Sequence, residues 1–265
     1  MKTIVITGST RGIGHGLADA FLERGCSVTV SGRSREAVDR ALEELGASHS
    51  AERLFGCPCD VTDFDQVQAL WDAAKEHWGR IDIWINNAGI AHAQTPIWKQ
   101  SHEEAAAVIE TNIIGSIYGA QVAMTGMLEQ GSGSIYNMEG LGSDGRKVEG
   151  LTAYGTTKAA ITYLTDGLVQ EAKGTPVLVG AIQPGMVVTD MITQQYEDQP
   201  EQWEDAKRIF NILADRIETV TPWMADRVLA NTKNGARIQW LTRGKSMGRF
   251  LMAPFSKRDL FAEDQ

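Results

Sequence analysis

Two hydrophobic periods take turns along this chain. Short apolar or β-branched runs recur, and between them apolar residues return every three or four positions. Ile4-Val5-Ile6 is the first run, apolar throughout, as a strand buried on both faces reads. Leu17, Phe21 and Leu22 then mark one face of a helix, and Val28-Thr29-Val30 is a second strand. Ser34 is placed to cap a helix to about Leu45. Arg53 to Cys57 reads as a third strand, closed by Cys59-Asp60-Val61. Asp63 caps a helix carrying Val67, Leu70, Trp71 and Ala74. Ile81 to Ile85 is a fourth strand, ending in Asn86-Asn87-Ala88-Gly89. One long helix is expected through Val108, Ile109, Ile113, Ile117 and Val122 to about Leu128. Ser134 to Met138 is a fifth strand and Leu151 to Lys173 a helix. Val177 to Ile182 is a sixth strand, stopped by Gln183-Pro184-Gly185. Thr219 to Asn231 is a further helix, and Ala236 to Leu241 fits a seventh strand.

This alternation predicts an α/β fold, a doubly wound sheet of parallel strands flanked by helices on both faces. Right-handed crossovers bring the C-terminal strand ends to one crevice. Gly8, Asp60, Asn87, Met138 and Pro184 all follow strand ends and should meet there. Past Pro184 the pattern changes. Glu197, Asp198, Glu201, Glu204 and Asp205 mix with Trp203, Ile209 and Phe210, read as a mobile, partly helical lid at about 190–215. The expected domain spans 1–243, and 244–265 is a tail. Lys245, Arg249, Lys257 and Arg258 stand there among Met247, Phe250, Leu251, Met252 and Phe255. A packing tail is favoured over an oligomer interface, an apolar substrate lining or a membrane contact.

Composition narrows the function classes. The 265 residues are 43% hydrophobic and 22% charged, ordinary for a globular chain with a full core. A net charge of −9 without a basic patch argues against a nucleic-acid partner. No apolar run reaches membrane-span length, so no transmembrane segment is expected. The chain enters a strand at once, without a secretory signal, and the cytoplasm is the expected location. Cys57 and Cys59 are too close for a routine disulfide and lack a second ligand pair. With Cys26 they are expected to be reduced structural cysteines, and no metal site is expected.

Two segments carry chemistry. Thr7-Gly8-Ser9-Thr10-Arg11-Gly12-Ile13-Gly14 joins the first strand to the first helix, where a dinucleotide fingerprint belongs. Its glycines let the backbone approach a pyrophosphate, and the helix N-terminus supplies N–H groups and a positive dipole end. The spacing is G-x-x-x-G-x-G rather than G-x-G-x-x-G. The second strand ends in Ser31-Gly32-Arg33-Ser34, without the carboxylate that NAD sites usually place about twenty residues past the turn. Arg33 can fork onto a 2′-phosphate and Arg11 can add a second charge, so NADPH/NADP+ is favoured as cofactor. The second segment is Thr152-Ala153-Tyr154-Gly155-Thr156-Thr157-Lys158. It stacks a phenol and an ammonium on one helix face. The cation should lower the phenol from its usual pKa of about 10, making an acid/base for a carbonyl oxygen.

These motifs, with Asp60-Val61, Asn86-Asn87-Ala88-Gly89, Asn112 and Pro184-Gly185, resemble the short-chain dehydrogenase/reductase family in content and order. The resemblance runs from residue 3 to about 242. It implies a single-domain Rossmann-type fold with a seven-stranded sheet and a homodimer or homotetramer. By resemblance, the turn from Gly8 through Ser9, Thr10, Arg11, Gly12 and Ile13 to Gly14 binds the cofactor, with Arg33 and Ser34. Asp60 and Val61 border the adenine, and Asn87, Ala88 and Gly89 line the cofactor. Pro184 and Gly185 belong to the same set, and Val187 and Thr189 meet the nicotinamide carboxamide. Tyr154 is the proton donor in reduction, Lys158 holds the ribose and lowers the tyrosine pKa, and Asn112 supports a water relay behind the lysine.

One departure matters. The family usually has a substrate-binding serine about thirteen residues before the tyrosine, and Leu141 stands there, after Glu139-Gly140. A rearranged loop could bring Ser143 to the serine's place as a catalytic residue, or Glu139 could contact the substrate. The same stretch, Asn137 to Ser143, resembles the chlorophyll(ide) b reductases. So do Ile83 to Gly89, Pro184 to Asp190, Phe210-Asn211-Ile212 and Glu218-Thr219-Val220. That resemblance implies a small apolar carbonyl substrate, a chlorophyll pigment, with NADPH reducing its C7 formyl to hydroxymethyl. A general carbonyl reductase keeps the chemistry with another lid. A non-catalytic NADPH-sensing or scaffold module is the reading that the missing serine keeps open.

Overall fold

The structure, a computed structural model, describes residues 1–193, 200–256 and 258–261. Seven parallel strands form one sheet: β1 (Thr3–Ile6), β2 (Ser27–Gly32), β3 (Leu54–Pro58), β4 (Ile83–Asn86), β5 (Gly133–Met138), β6 (Val177–Gln183) and β7 (Ala236–Gln239). Their order is β3-β2-β1-β4-β5-β6-β7, with every pairing parallel. The direction of winding reverses between β1 and β4, which places the ligand crevice of such a sheet. The helices are α1 (Gly12–Glu23), α2 (Arg35–Gly46), α3 (Phe64–Trp78), α4 (His102–Ile109), α5 (Gly115–Gln130), α6 (Thr152–Glu171), α7 (Asp190–Thr193), α8 (Pro200–Leu213), α9 (Ile217–Ala230) and α10 (Arg243–Met252).

The period of two inside β1 builds two cores. Ile4 and Ile6 enter one apolar cluster with Leu17, Phe21 and Met224, while Val5 enters another with Trp71, Trp84 and Met127. Both faces are thus sealed by helices, which explains the continuous apolar strands. Trp71 lies so close to α5 that a Cβ on Gly126 would sit 2.1 Å from its ring. The expected caps form: Ser34 Oγ accepts from Ala37 N at 3.2 Å, and Asp63 Oδ1 accepts from Asp65 N at 3.0 Å.

One expectation needs correction. The long helix from Val108 to Leu128 is interrupted by a π turn at Glu110–Ile114. The extra residue lets Asn112 point inward and hold the Ile90 backbone, a use typical of π-bulges. The tail, expected to pack, contains the helix α10 and is held by its arginines and by Phe261, whose ring lies 4.9 Å from that of Trp203 and 6.2 Å from that of Phe210. Buried Asp215 accepts from Arg249 at 2.8 Å, Arg258 at 2.6 Å and Trp240 Nε1 at 2.6 Å. Met247, Leu251 and Phe255 face outward, at 64%, 71% and 81% exposure. Of the expected lid, residues 194–199 lie outside the described residues.

Candidate active site

The Gly-rich turn is held in shape by its own polar residues. Thr7 Oγ1 donates to Ile85 O and accepts from Asn87 N at 3.0 Å and Ala88 N at 3.1 Å. Ser9 Oγ donates to Ile6 O at 2.7 Å and accepts from Ser31 N at 3.0 Å. Asn87 Nδ2 donates to Thr7 O and Gly8 O, each at 2.9 Å. Ser9 and Asn87 are therefore braces of the turn. Gly8 and Gly12 hold left-handed φ angles of 61° and 60°, which glycine adopts without steric cost. Arg11, the N-cap of α1, makes no side-chain bond to the first helical turn, so its amides are available to an anion. A left-handed glycine cradle before an uncapped helix start fits the pyrophosphate of a dinucleotide.

Gly14 shows how tight the cradle is. A Cβ there would lie 2.4 Å from Asn87 Nδ2 and 2.5 Å from Gly8 O. Gly14→Ala is expected to destabilise the fold by roughly 1–3 kcal/mol, as overpacking does, and to weaken dinucleotide binding at least tenfold. Chemical denaturation and cofactor titration would check both.

The remaining expected cofactor residues gather around this turn. Thr10 packs over Gly32 at the end of β2, where a Cβ would approach its Cγ2 to 2.6 Å. Arg11, Arg33 and Ser34 are exposed at that end, and among the described residues neither arginine has an ion-pair partner. Asp60 Oδ1 accepts from Thr62 N and Oγ1, at 3.0 and 2.8 Å, and Val61 is buried against Gly115 of α5. Gly89 abuts the Asn112 carboxamide, with 3.2 Å left for a Cβ. After β6, Pro184 and left-handed Gly185 turn the chain. Buried Val187 then bridges to Asp215. Thr189 reaches over Gly12, its Cγ2 3.9 Å from where a Cβ would stand.

Tyr154 and Lys158 share the inner face of α6, with the ammonium 5.7 Å from the phenol ring centroid. Lys158 Nζ donates to Met138 O at 3.0 Å. The tyrosine hydroxyl lies against Gly140, where a Cβ would come within 3.0 Å of Oη. The expected lowering of the tyrosine pKa does not emerge from these groups. The residue is partly exposed overall, yet the surrounding protein pushes its phenol up to about 12. Burial also brings Lys158 down to about 8, with Glu139 opposing the fall. Desolvation outweighs the ammonium because that ammonium is bonded to a backbone carbonyl rather than to the phenol.

Around the pair runs a chain of polar contacts. Thr157 Oγ1 donates to Tyr154 O at 2.7 Å and accepts from Asn112 Nδ2 at 3.0 Å. Asn112 also clamps Ile90, donating to its O at 2.9 Å and accepting from its N at 2.8 Å. His92 was not legible as a site residue. It is buried, its Nδ1 is 2.7 Å from Ala93 O, and its Nε2 accepts the Tyr154 N–H at 3.4 Å. The available signal was its place in the loop just past Asn87-Ala88-Gly89, which follows the end of β4.

The two candidates for the missing serine are both engaged elsewhere. Ser143 Oγ donates to Lys158 O and accepts from Gly140 N, each at 3.1 Å. Its proton is committed to the helix backbone, so Ser143 braces the loop. Glu139 is buried, and its carboxylate accepts from Arg237 and Gln183 rather than facing the crevice.

Comparison with known proteins agrees with this geometry. A family model for short chain dehydrogenases matches residues 2–200. The chloroplastic chlorophyll(ide) b reductase NOL of Arabidopsis thaliana is 36% identical over 240 residues, covering 88% of this chain and 67% of that protein. The probable chloroplastic chlorophyll(ide) b reductase NYC1 of the same plant is 34% identical over 257 residues, 91% of this chain and only 51% of that protein. The closed form of a serine dehydrogenase complexed with NADP+ superimposes with a TM-score of 0.79 at 26% identity, over 91% of this chain and 94% of that one. Among the described residues no helix is long and apolar enough to cross a membrane. The ordered motifs, the seven-stranded sheet and these matches together make the chain a member of the short-chain dehydrogenase/reductase family of oxidoreductases.

Proposed function

We propose that this chain is an NADPH-dependent reductase of an apolar formyl group, the C7 formyl of chlorophyll b or chlorophyllide b, giving the hydroxymethyl product. One observation carries the substrate: the similarity to NOL extends over 88% of the chain, past residue 200 where the family match ends. Bound NADPH would supply the hydride to the aldehyde carbon. The chain's part is to place the oxygen and deliver a proton. Tyr154, pushed up to about 12, stays protonated at neutral pH and so is suited to donate in the reductive direction. Gly140 beneath its hydroxyl keeps that approach free of a side chain. Lys158 supplies the adjacent positive charge.

The test is chromatography of pigment after incubation with chlorophyll b and NADPH. A 7-hydroxymethyl product supports the reading. NADPH consumption with simple aldehydes but not with pigment would favour a general carbonyl reductase instead. Consumption with neither would favour a non-catalytic cofactor-sensing module. The preference for NADPH is supported by Arg33, just past β2, and Arg11, in the Gly-rich turn, both exposed and without an ion-pair partner among the described residues. Removing a charged hydrogen bond costs about 1.5–3 kcal/mol, so Arg33→Ala is expected to raise the KM for NADPH roughly ten- to hundredfold. The KM for NADH should barely move, which initial-rate kinetics with both cofactors would show.

A homodimer or homotetramer is part of the proposal. It is supported by a shallow apolar groove between α5 and α6, lined by Ile113, Ile117, Leu164 and Leu168, with Tyr163 84% exposed beside it. A cytoplasmic location is proposed as well, although the plant relatives are named chloroplastic.

A further inference from the structure

The helix that carries Tyr154 and Lys158 begins without a cap of its own. The N-cap of α6 is Leu151, whose side chain makes no bond to the first turn. An apolar N-cap leaves the first amides of a helix without the acceptor that Ser, Thr, Asp or Asn would supply. One of those amides, the N–H of Tyr154, donates instead to His92 Nε2 at 3.4 Å, across 62 residues of chain. His92 is 6% exposed, and its Nδ1 lies 2.7 Å from Ala93 O. The two partners fix the form of the ring. A carbonyl oxygen only accepts, so Nδ1 carries a proton. An amide N–H only donates, so Nε2 keeps its lone pair. The imidazole is therefore neutral, with its proton on Nδ1.

The loop after β4 is tied to the start of α6 on both sides of His92. Before it, Ile90 is clamped by Asn112, which reaches Thr157 of α6 at 3.0 Å. After it, Thr95 N donates to Gly150 O at 2.9 Å and Gln94 Nε2 to Glu149 O at 2.7 Å. The backbone of Tyr154 is thereby held at both ends, its N–H by His92 and its C=O by the Thr157 hydroxyl at 2.7 Å. Its phenol hydroxyl has no hydrogen-bond partner among the described residues, and burial alone accounts for its raised pKa. The aim of the phenol is thus set by ring packing and by where its backbone stands. We propose that His92 is a positioning residue for Tyr154: its neutral ring takes the place of the N-cap side chain that α6 lacks and fixes the backbone of the proton donor. The inference rests on the reading of Tyr154 as that donor. The same loop follows Asn87-Ala88-Gly89 directly, so one short segment carries both the expected cofactor lining and the hold on the tyrosine. Misplacing a reacting group by about 1 Å can cost 10²-fold in rate, which is the scale on which such a hold matters.

Three measurements on the full chain test this. Long-range 1H–15N correlation spectra at pH 8 read the ring, with His92→Gln assigning its signals among the five histidines. The proton is expected on Nδ1; a proton on Nε2, alone or together with one on Nδ1, overturns the proposal. Residue-resolved hydrogen exchange reads the cap. The Tyr154 amide is expected to exchange roughly tenfold faster in His92→Ala, the equivalent of one lost hydrogen bond. His92→Gln can set a carbonyl oxygen where Nε2 stands, so it is expected to keep most of the protection. Single-turnover reduction of an aldehyde by NADPH reads the consequence. His92→Ala is expected to slow it roughly ten- to hundredfold while the Kd for NADPH stays within about twofold of wild type, the split a merely structural defect would not produce. His92→Gln is expected to recover most of that loss. In a Tyr154→Phe background, His92→Ala is expected to change the residual rate by less than about twofold, because the two changes act through one group. An unchanged Tyr154 amide in the Ala variant, a Gln variant no better than Ala, or a rate loss that recurs in full in the Phe background each overturns the proposal. Should the Ala variant not fold, the ring spectra and the Gln variant decide. The spectra and the exchange need no turnover, so they decide the hold on Tyr154 even if neither pigment nor aldehyde is reduced.

Discussion

Replacing Tyr154 by Phe is expected to cut kcat/KM by at least about 10³-fold while the protein stays folded and cofactor-competent. General acid catalysis is worth roughly 10²–10⁴ in rate, and the neighbouring donors are engaged: the Lys158 ammonium is seated on Met138 O. Ser143 has given its proton to Lys158 O, Thr157 has given its own to Tyr154 O, and Asn112 Nδ2 spends its protons on Ile90 and Thr157. The ring survives the change, so packing against α6 and Gly140 is kept. No hydrogen bond to the Tyr154 hydroxyl is lost among the described residues, so denaturation midpoints should shift by less than about 0.5 kcal/mol. Following the absorbance of reduced nicotinamide at saturating aldehyde checks the first part, and cofactor titration checks the second. Residual turnover within tenfold of wild type would remove Tyr154 from the role of donor.

The fold was legible wherever local pattern and long-range packing agreed. Ile4-Val5-Ile6 reads as a doubly buried strand because each side chain meets a helix-covered face. Ser34 and Asp63 read as caps because a cap is decided within four residues. The Gly-rich turn was legible because its glycine spacing between a strand and a helix is local, although the braces that hold it, Asn87 above all, come from about eighty residues on. What stayed hidden depends on partners far away in the chain. The π turn at Asn112 answers to Ile90, 22 residues earlier. His92 meets the amide of Tyr154, 62 residues on. Glu139 is decided by Arg237, 98 residues later. Asp215 gathers Arg249 and Arg258 and so turns a tail into a packed helix. The Tyr154–Lys158 spacing was plain, but spacing carries no information about burial, and burial set both pKa values.

Lys158→Met tests that burial directly, and its two effects run in opposite directions. Turnover is expected to fall by at least about 10²-fold, since a charge preorganised at the reacting oxygen is commonly worth 10²–10³. Stability at pH 7 is expected to rise. Lys158 is 6% exposed and is drawn from 10.5 to about 8 in the fold, which corresponds to a burial cost on the order of 3 kcal/mol for the charged form. Met fills the same space without that cost. It forfeits the bond to Met138 O, worth about 1 kcal/mol, so a net gain of roughly 1–2 kcal/mol remains. The pH dependence follows from proton counting. Below pH 8 the lysine is protonated in both states and the wild type carries the full cost. Between about 8 and 10.5 the folded state releases its proton while the unfolded state keeps it, so wild-type stability rises with pH. The variant's advantage is therefore largest below pH 8 and fades toward pH 10.5. Urea denaturation of both proteins at pH 7 and pH 10 measures it. A Met variant less stable than wild type at pH 7 would mean that the ammonium is better solvated than its burial indicates.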